Sequence, residues 1–201
     1  MIGLIDYGLG NLVAFENALG RLRIPNRRVR RQEDLAECSK LIFPGVGSFD
    51  FAMKCFNESG LREPLDRLVH SGEIPVLGVC VGMQMFANGS DEGTAQGLGW
   101  IPGQVRSMRA SVQNLPIPHM GWNDVTALLS PENSLCETGD EFYFLHSYYF
   151  DPEGKDSSLA TSNHEHEFSC VVGAGAVIGV QFHPEKSHQA GSRLLRRFWE
   201  N

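Results

Sequence analysis

The chain has 201 residues, 42% apolar and 20% charged, with a formal net charge of −7. That length suits one domain with a substantial core. The negative charge argues against a general nucleic-acid binder and against docking on an anionic membrane surface. No apolar run reaches membrane-spanning length, and Met1 leads straight into a strand pattern without a basic, cleavable leader. Five cysteines without CxxC spacing fit free thiols in a reducing cytoplasm. The glycosylation-type matches at Asn57 and Asn88 are then chance.

Residues 2–7 read as a short apolar strand, followed by a turn at Gly8 and Gly10. Leu12, Phe15, Ala18, Leu19 and Leu22 then recur at helical spacing. A G-x-G before a helix is half of a dinucleotide fingerprint. Val13 stands at the third glycine position, so a tight strand–helix turn is the better reading. Arg27, Arg28, Arg30 and Arg31 surround Val29 and read as the solvated flank of a strand. Residues 40–43 form another strand, running into Pro44-Gly45-Val46-Gly47, whose glycines free backbone N–H groups to approach a ligand. Helical spacing over 49–56 and 61–69 leads to the apolar strand 74–79.

That strand ends at Gly78-Val79-Cys80-Val81-Gly82, and helical spacing resumes from 81 to 87. A nucleophile between two glycines at a strand–helix turn is elbow geometry, with Cys in place of Ser. Small neighbours permit the sharp turn, and the positive end of a helix favours thiolate. A buried core cysteine is the plain alternative. Residues 88–99 read as loop, with Glu92 a solvated acid on composition alone.

From about residue 99 to 179 the pattern is β-rich. Strands are expected over 100–101, 104–108, 142–150 and 169–180, as a largely antiparallel extension covering a parallel core. His164-Glu165-His166 lacks a third ligand at suitable spacing, so no metal is expected. Past the strand 176–180 comes Gln181-Phe182-His183-Pro184-Glu185-Lys186-Ser187. His183 can take a thiol proton, and Glu185 can fix its tautomer. Residues 189–199 close the chain as an amphipathic helix. Strands alternating with helices predict an α/β fold with a mostly parallel sheet, ligands binding at the strands' carboxyl ends. Cys80, the 44–47 loop and His183 all follow strands and so converge on one rim.

Gly78-Val79-Cys80-Val81-Gly82-Met83-Gln84 with His183-Pro184-Glu185 resembles the triad-type, class I glutamine amidotransferases. Asp6-Tyr7-Gly8-Leu9-Gly10-Asn11-Leu12, Pro44-Gly45-Val46-Gly47-Ser48-Phe49 and Pro118-His119-Met120-Gly121-Trp122-Asn123 narrow the likeness. They look like the glutaminase subunits of imidazole glycerol phosphate synthases, over essentially the whole chain. The resemblance implies one three-layer, flavodoxin-like domain over 1–201, a Cys80–His183–Glu185 triad and no cofactor. It implies oxyanion donors at Val81 and around Val46 and Gly47. Glutamine contacts would fall at Gly45, Gln84, Glu92, His146, Ser147 and Tyr148, those of 146–148 mainly through the backbone. Asn11, His119, Met120, Trp122, Asn123 and Lys186 would face a cyclase subunit in a heterodimer. Ammonia passed to that subunit would yield imidazole glycerol phosphate and aminoimidazole carboxamide ribotide in histidine biosynthesis. The free subunit would be nearly inactive until partner and nucleotide shift the 44–47 loop to its competent form.

Without the resemblance, Trp122 reads as core and the aromatics of 142–150 as sheet face. Val81 stands where many relatives carry leucine, a swap that keeps the N–H. Two other readings use the same motifs: a paralogue supplying ammonia for surface-polysaccharide sugar modification, and a stand-alone γ-glutamyl hydrolase.

Overall fold

The computed structural model describes residues 1–130 and 134–201. Its first strands are β1 (Ile2–Ile5), β2 (Asn26–Val29), β3 (Lys40–Gly45) and β4 (Val76–Cys80). They run parallel. β1 and β4 are buried along their whole length, as strands covered on both faces must be. The covering helices are α1 (Leu12–Arg21), α2 (Phe49–Glu58), α3 (Arg62–Ser71) and, after a single turn named α4 (Val81–Gln84), the terminal α5 (His188–Glu200). Each long helix turns an apolar stripe inward: Leu12, Phe15 and Leu19 of α1, Phe49, Met53 and Phe56 of α2, Leu194, Leu195 and Phe198 of α5.

The later strands are β5 (Gly89–Ser90), β6 (Gly103–Ser107), β7 (His119–Asp124), β8 (Thr126–Ala127) and β9 (Glu141–His146). They continue with β10 (Tyr148–Pro152), β11 (Ser158–Asn163), β12 (Glu167–Ala174) and β13 (Val177–Val180). The main sheet runs β2-β1-β3-β4-β13-β12-β10-β6-β5, with β11 also on β12 and β8 beyond it. It is parallel from β2 to β13 and mostly antiparallel after that. β7 and β9 form a separate antiparallel pair. The α/β class with a parallel core and an antiparallel extension is thus as the strand–helix alternation predicts.

Four local readings change. The expected strand 142–150 is two strands: β9 pairs with β7 in the small sheet and β10 with β6 in the large one. The chain changes sheets at Ser147, so no single strand can span the corner. The expected strand 169–180 is a hairpin turned at Gly175, and its second arm joins the parallel core beside β4, Val180 opposite Val79. Trp100 and Ile101 are not a strand. Trp100 packs on Phe86 and donates Nε1–H to Asp66 Oδ1 at 2.7 Å. The arginines around Val29 are paired rather than simply solvated. Arg28 makes a two-pronged contact with Glu16 (2.7 and 2.8 Å), Arg30 meets Asp6 at 2.7 Å, and Arg27 meets Asp34 at 3.0 Å.

Tyr7, Phe43, Phe56, Phe86 and Trp100 form an aromatic cluster beneath the strand ends, with centroids 4.9–6.0 Å apart. Tyr7 also donates its hydroxyl to the Pro44 carbonyl at 2.9 Å. The base of the 44–47 loop is therefore tied to the core. No helix among the described residues is long and apolar enough to cross a membrane.

Candidate active site

Neighbouring strands deliver the chemistry. β3 ends opposite β4, Gly45 level with Cys80, and β13 lies on the other side of β4, three residues before His183. Cys80 has φ +56° and ψ −117°, a strained conformation for a residue with a side chain, costing on the order of 1–3 kcal/mol. Close packing holds it there. A Cβ on Gly82 would lie 2.0 Å from the Phe43 carbonyl oxygen, and one on Gly45 would lie 2.1 Å from the Gly82 nitrogen. A Cβ on Gly78 would strike the Phe86 ring at 2.4 Å. The elbow is built of glycine because β3 and the turn touch backbone to backbone. The helix behind the sulfur, expected to run to 87, is a single turn, Val81–Gln84. Its few aligned peptides carry little of the dipole a long helix would bring to the sulfur.

The charge that faces the sulfur is His183. Its Nδ1–H donates to Glu185 Oε1 at 3.0 Å, and the two side chains are 7% and 1% exposed. Burial pulls the His183 pKa down, but the hydrogen bonds to Cys80 and Glu185 and their charges outweigh it and lift the ring to about 9. Both partners therefore favour the charged form of the ring. Its backbone is fixed as well: its N–H donates to Tyr143 O at 2.9 Å, and Ser187 Oγ donates to its carbonyl at 2.6 Å. Glu185 Oε2 is buried with no hydrogen-bond partner among the described residues.

These groups open into a cavity of about 320 Å³. Val46, Gly47, Val81, Gln84, Glu92, His146, Ser147, Tyr148 and Lys186 line it together with Cys80 and His183. Of the predicted glutamine contacts, Gly45 alone is not on the lining; it is consumed by its packing on Gly82. Val81 opens the turn after the nucleophile, where backbone N–H groups have no intrahelical partner. Glu92 is not merely a solvated acid. Its Oε2 accepts the Phe49 N–H at 2.8 Å, capping α2 where the side chain of Ser48 makes no cap bond. Asp50 reciprocates, accepting from the N–H groups of Thr94 and Ala95 at 3.0–3.1 Å. A larger cavity of about 620 Å³, beside Leu35, Cys38 and Leu68, contains none of these groups.

His146 is engaged through both ring nitrogens. The Tyr148 carbonyl can only accept, so Nδ1–H donates to it at 2.9 Å. His146 Nε2 must then accept from His119 Nδ1–H, also at 2.9 Å, and His119 Nε2 accepts from Asn123 Nδ2 at 3.2 Å. Burial lowers the His146 pKa to about 3 and that of His119 to about 4. The His146 ring thus has no free nitrogen to offer a ligand.

The predicted partner-facing residues divide. Met120 and Trp122 alternate outward on β7, 66% and 48% exposed, opposite Leu145 and Tyr143 of β9. Trp122 is thus not core; its ring stacks on His188 at 5.1 Å. His119 is buried and Asn123 is half-buried, both spent on the chain of hydrogen bonds just described. Asn11 is exposed and caps α1 through Ala14 N–H. Lys186 is exposed at the cavity mouth, its Nζ 5.6 Å from the centre of the Tyr143 ring. His164 and His166 have neighbours of their own: His164 stacks on His119 at 4.2 Å, and His166 packs on Tyr149.

One residue at the sulfur had no predicted role. Gln181 is fully buried, with Nε2 3.8 Å from Cys80 Sγ. The signal in the sequence is a glutamine directly after an apolar strand that leads to the histidine, legible only once that strand is known to lie beside the elbow.

A family model for glutamine amidotransferase class-I matches residues 4–201. The chain is 52% identical to the imidazole glycerol phosphate synthase subunit HisH of Bdellovibrio bacteriovorus, covering 100% of both chains. It is 48% identical to the subunit of the same name from Leptospira interrogans and 41% identical to that from Geobacillus kaustophilus. These cover 98% of this chain and 98% and 95% of the relatives. Among solved structures, a glutamine amidotransferase superposes with a TM-score of 0.78 at 24% identity, over 99% of this chain and 97% of that one. PurLQS from Thermotoga maritima superposes at 0.74 with 14% identity, over 98% and 96%. At such identities the structural matches speak to the fold alone; the sequence matches carry the family. With a cysteine elbow, a paired histidine and glutamate and full-length relatives in agreement, the chain belongs to the class-I glutamine amidotransferases, within the group of imidazole glycerol phosphate synthase HisH subunits.

Proposed function

We propose that this chain hydrolyses glutamine to glutamate and ammonia and hands the ammonia to a cyclase subunit. The observation that carries the reading is a buried His183 placed between Cys80 and Glu185 at the floor of a cavity of amino-acid size. Cys80 thiolate attacks the side-chain amide carbon of glutamine. The N–H of Val81 and a backbone N–H of the Val46–Gly47 segment hold the oxyanion. His183 gives its proton to the leaving nitrogen, the carbon–nitrogen bond breaks, and a γ-glutamyl thioester remains on Cys80. His183 then takes a proton from water, hydroxide attacks the thioester, and glutamate leaves with the thiolate restored. Glu185 holds the ring and stabilises its charged form throughout. Glu92, at the cavity wall, suits the α-ammonium of the substrate, and the backbone of 146–148 suits its carboxylate end.

The partner is a cyclase subunit seated on Met120, Trp122, Lys186 and Asn11, all exposed, Lys186 on the cavity lining. Exposed aromatic and thioether side chains of this kind anchor interfaces. There the ammonia would complete imidazole glycerol phosphate and aminoimidazole carboxamide ribotide in the cytoplasm. The deciding experiment measures glutamate release by the wild type and Cys80→Ala, with and without the cyclase subunit and its nucleotide substrate. Release that appears in the mixture and vanishes in Cys80→Ala is expected. Cys80-dependent release that ignores the cyclase would favour a stand-alone hydrolase instead.

A further inference from the structure

Gln181 leaves the end of β13 fully buried and takes no part in the triad. The orientation of its amide is dictated two residues away. The Tyr148 carbonyl can only accept, so Gln84 presents Nε2 to it at 3.1 Å. The same Nε2 donates its other proton to Gln181 Oε1 at 3.0 Å. The nitrogen of Gln181 is therefore turned toward Cys80 Sγ, 3.8 Å away. Reversing that amide would set nitrogen against nitrogen at Gln84 and oxygen against sulfur at Cys80. On another side of the sulfur, at 3.9 Å, stands the Leu145 carbonyl, an acceptor. Cys80 thus lies between a group that suits a thiol and a donor that suits a thiolate.

We propose that Gln181 is a positioning residue for the nucleophile: its amide donates to Cys80 Sγ, favouring thiolate and fixing the rotamer from which the sulfur attacks. The inference rests on reading Cys80 as the nucleophile. It gives Gln84 a second task, since that side chain aims the Gln181 donor as well as lining the cavity. Gln181 is fully buried and Cys80 and Gln84 are 5% and 3% exposed, so these bonds form in a low-dielectric setting, and a donor to a charged sulfur is stronger than one to a neutral one. The titratable groups facing the sulfur are His183 with Glu185 behind it, Glu92 and Lys186 across the cavity, His146, and Tyr7 beneath. None is altered by substitution at Gln181.

The test is the pH profile of Cys80 alkylation by iodoacetamide in the full chain, followed by the mass of the Cys80 peptide. It needs neither glutamine turnover nor a partner. Gln181→Leu removes the donor; Gln181→Glu keeps the size and replaces donor by carboxylate. Both profiles should move to higher pH, the second further. The rate at neutral pH should fall about tenfold in Gln181→Leu, the scale of one hydrogen bond to a charged group. Profiles that superimpose on the wild type overturn the proposal. Should these variants not fold, the wild type supplies its own reading by proton–nitrogen NMR. The Gln181 amide resonance should move with pH in step with Cys80 alkylation and stay fixed in Cys80→Ala; a resonance indifferent to that titration overturns the proposal equally. An alkylation shift without any glutamate release in the partnered assay would fault the glutaminase reading and leave the role of Gln181 standing.

Discussion

His119 donates Nδ1–H to Nε2 of His146 across the β7–β9 pair, at 2.9 Å. The Tyr148 carbonyl at the far end fixes both tautomers, so each ring is held neutral. Their folded pKa values, about 4 and about 3, lie below the ordinary histidine value near 6.5. The unfolded chain therefore binds more protons below pH 6.5, and stability falls as pH drops from there toward 4. Each ring contributes a slope of up to ~1.4 kcal/mol per pH unit. His183 works in the opposite sense. Its folded pKa, about 9, is raised, so its contribution is whole below pH 6.5 and is lost as pH climbs toward 9. Urea midpoints at pH 5, 6 and 7 should decline on the acid side, and His119→Asn should remove one ring's share of the slope. Equal midpoints at pH 5 and 7 would contradict neutral rings.

Glu185 stabilises the charged form of His183 from a site that is itself almost sealed from water. Glu185→Gln keeps the shape and removes the charge. The His183 pKa should fall, visible in the ring-proton NMR titration. Partner-stimulated turnover should fall at least ~100-fold, within the range seen when a triad acid is neutralised. Retained turnover with a lowered His183 pKa would show that the reaction does not depend on this stabilisation of the imidazolium.

Gly82 and Gly47 separate stability from the reaction. A methyl group on Gly82 meets the Phe43 carbonyl oxygen at 2.0 Å, and both are backbone. Gly82→Ala should cost about 3 kcal/mol, the upper end for overpacking, and disturb the elbow. A methyl group on Gly47 meets nothing within 4 Å, though its φ of +86° penalises a side chain, by about 1–2 kcal/mol. Gly47→Ala should fold, bind glutamine and lose kcat if, as proposed above, this loop supplies an oxyanion donor. Thermal melts beside steady-state kinetics check both; an unchanged kcat in Gly47→Ala would remove the loop from the oxyanion site.

Glu92 serves α2 and the cavity together. Glu92→Gln retains an oxygen for the Phe49 N–H, so melting should barely move. Loss of the charge should raise KM for glutamine by about tenfold or more, as for a bond to a charged group, with kcat little changed. A KM that stays put would assign the substrate ammonium to another group.

Trp122 and Met120 are exposed and line no part of the cavity; Trp122 packs edge-on against the Tyr143 ring and stacks on His188. Trp122→Ala should leave the fold intact and weaken association with the cyclase subunit by about 30-fold, the effect of a ~2 kcal/mol anchor. Titration by calorimetry checks it. Unchanged affinity in both Trp122→Ala and Met120→Ala would move the partner to another face.

The primary sequence by itself determined the α/β class and the parallel core, and it marked Cys80, His183 and Glu185 as the candidate triad. Those features rest on local rules: apolar runs that must be buried, glycines that permit one turn, and a histidine two residues from a carboxylate. It also left some elements unresolved, for reasons visible in the fold. The split at Ser147 depends on which sheet each half joins, and an apolar aromatic run reads alike in either. The inward turn of His119 and the outward turn of Trp122 depend on the register of β7 against β9, which no periodicity in β7 fixes alone. The clasp between Glu92 and α2 joins residues 43 positions apart, and the contact of Gln181 with Cys80 spans 101. The second contact exists because β13 is inserted beside β4, a long-range pairing that brings a buried amide to the sulfur. Tertiary structure decided what faces the nucleophile because hydrogen bonds are set by distance and direction in space, whereas the sequence records only order along the chain.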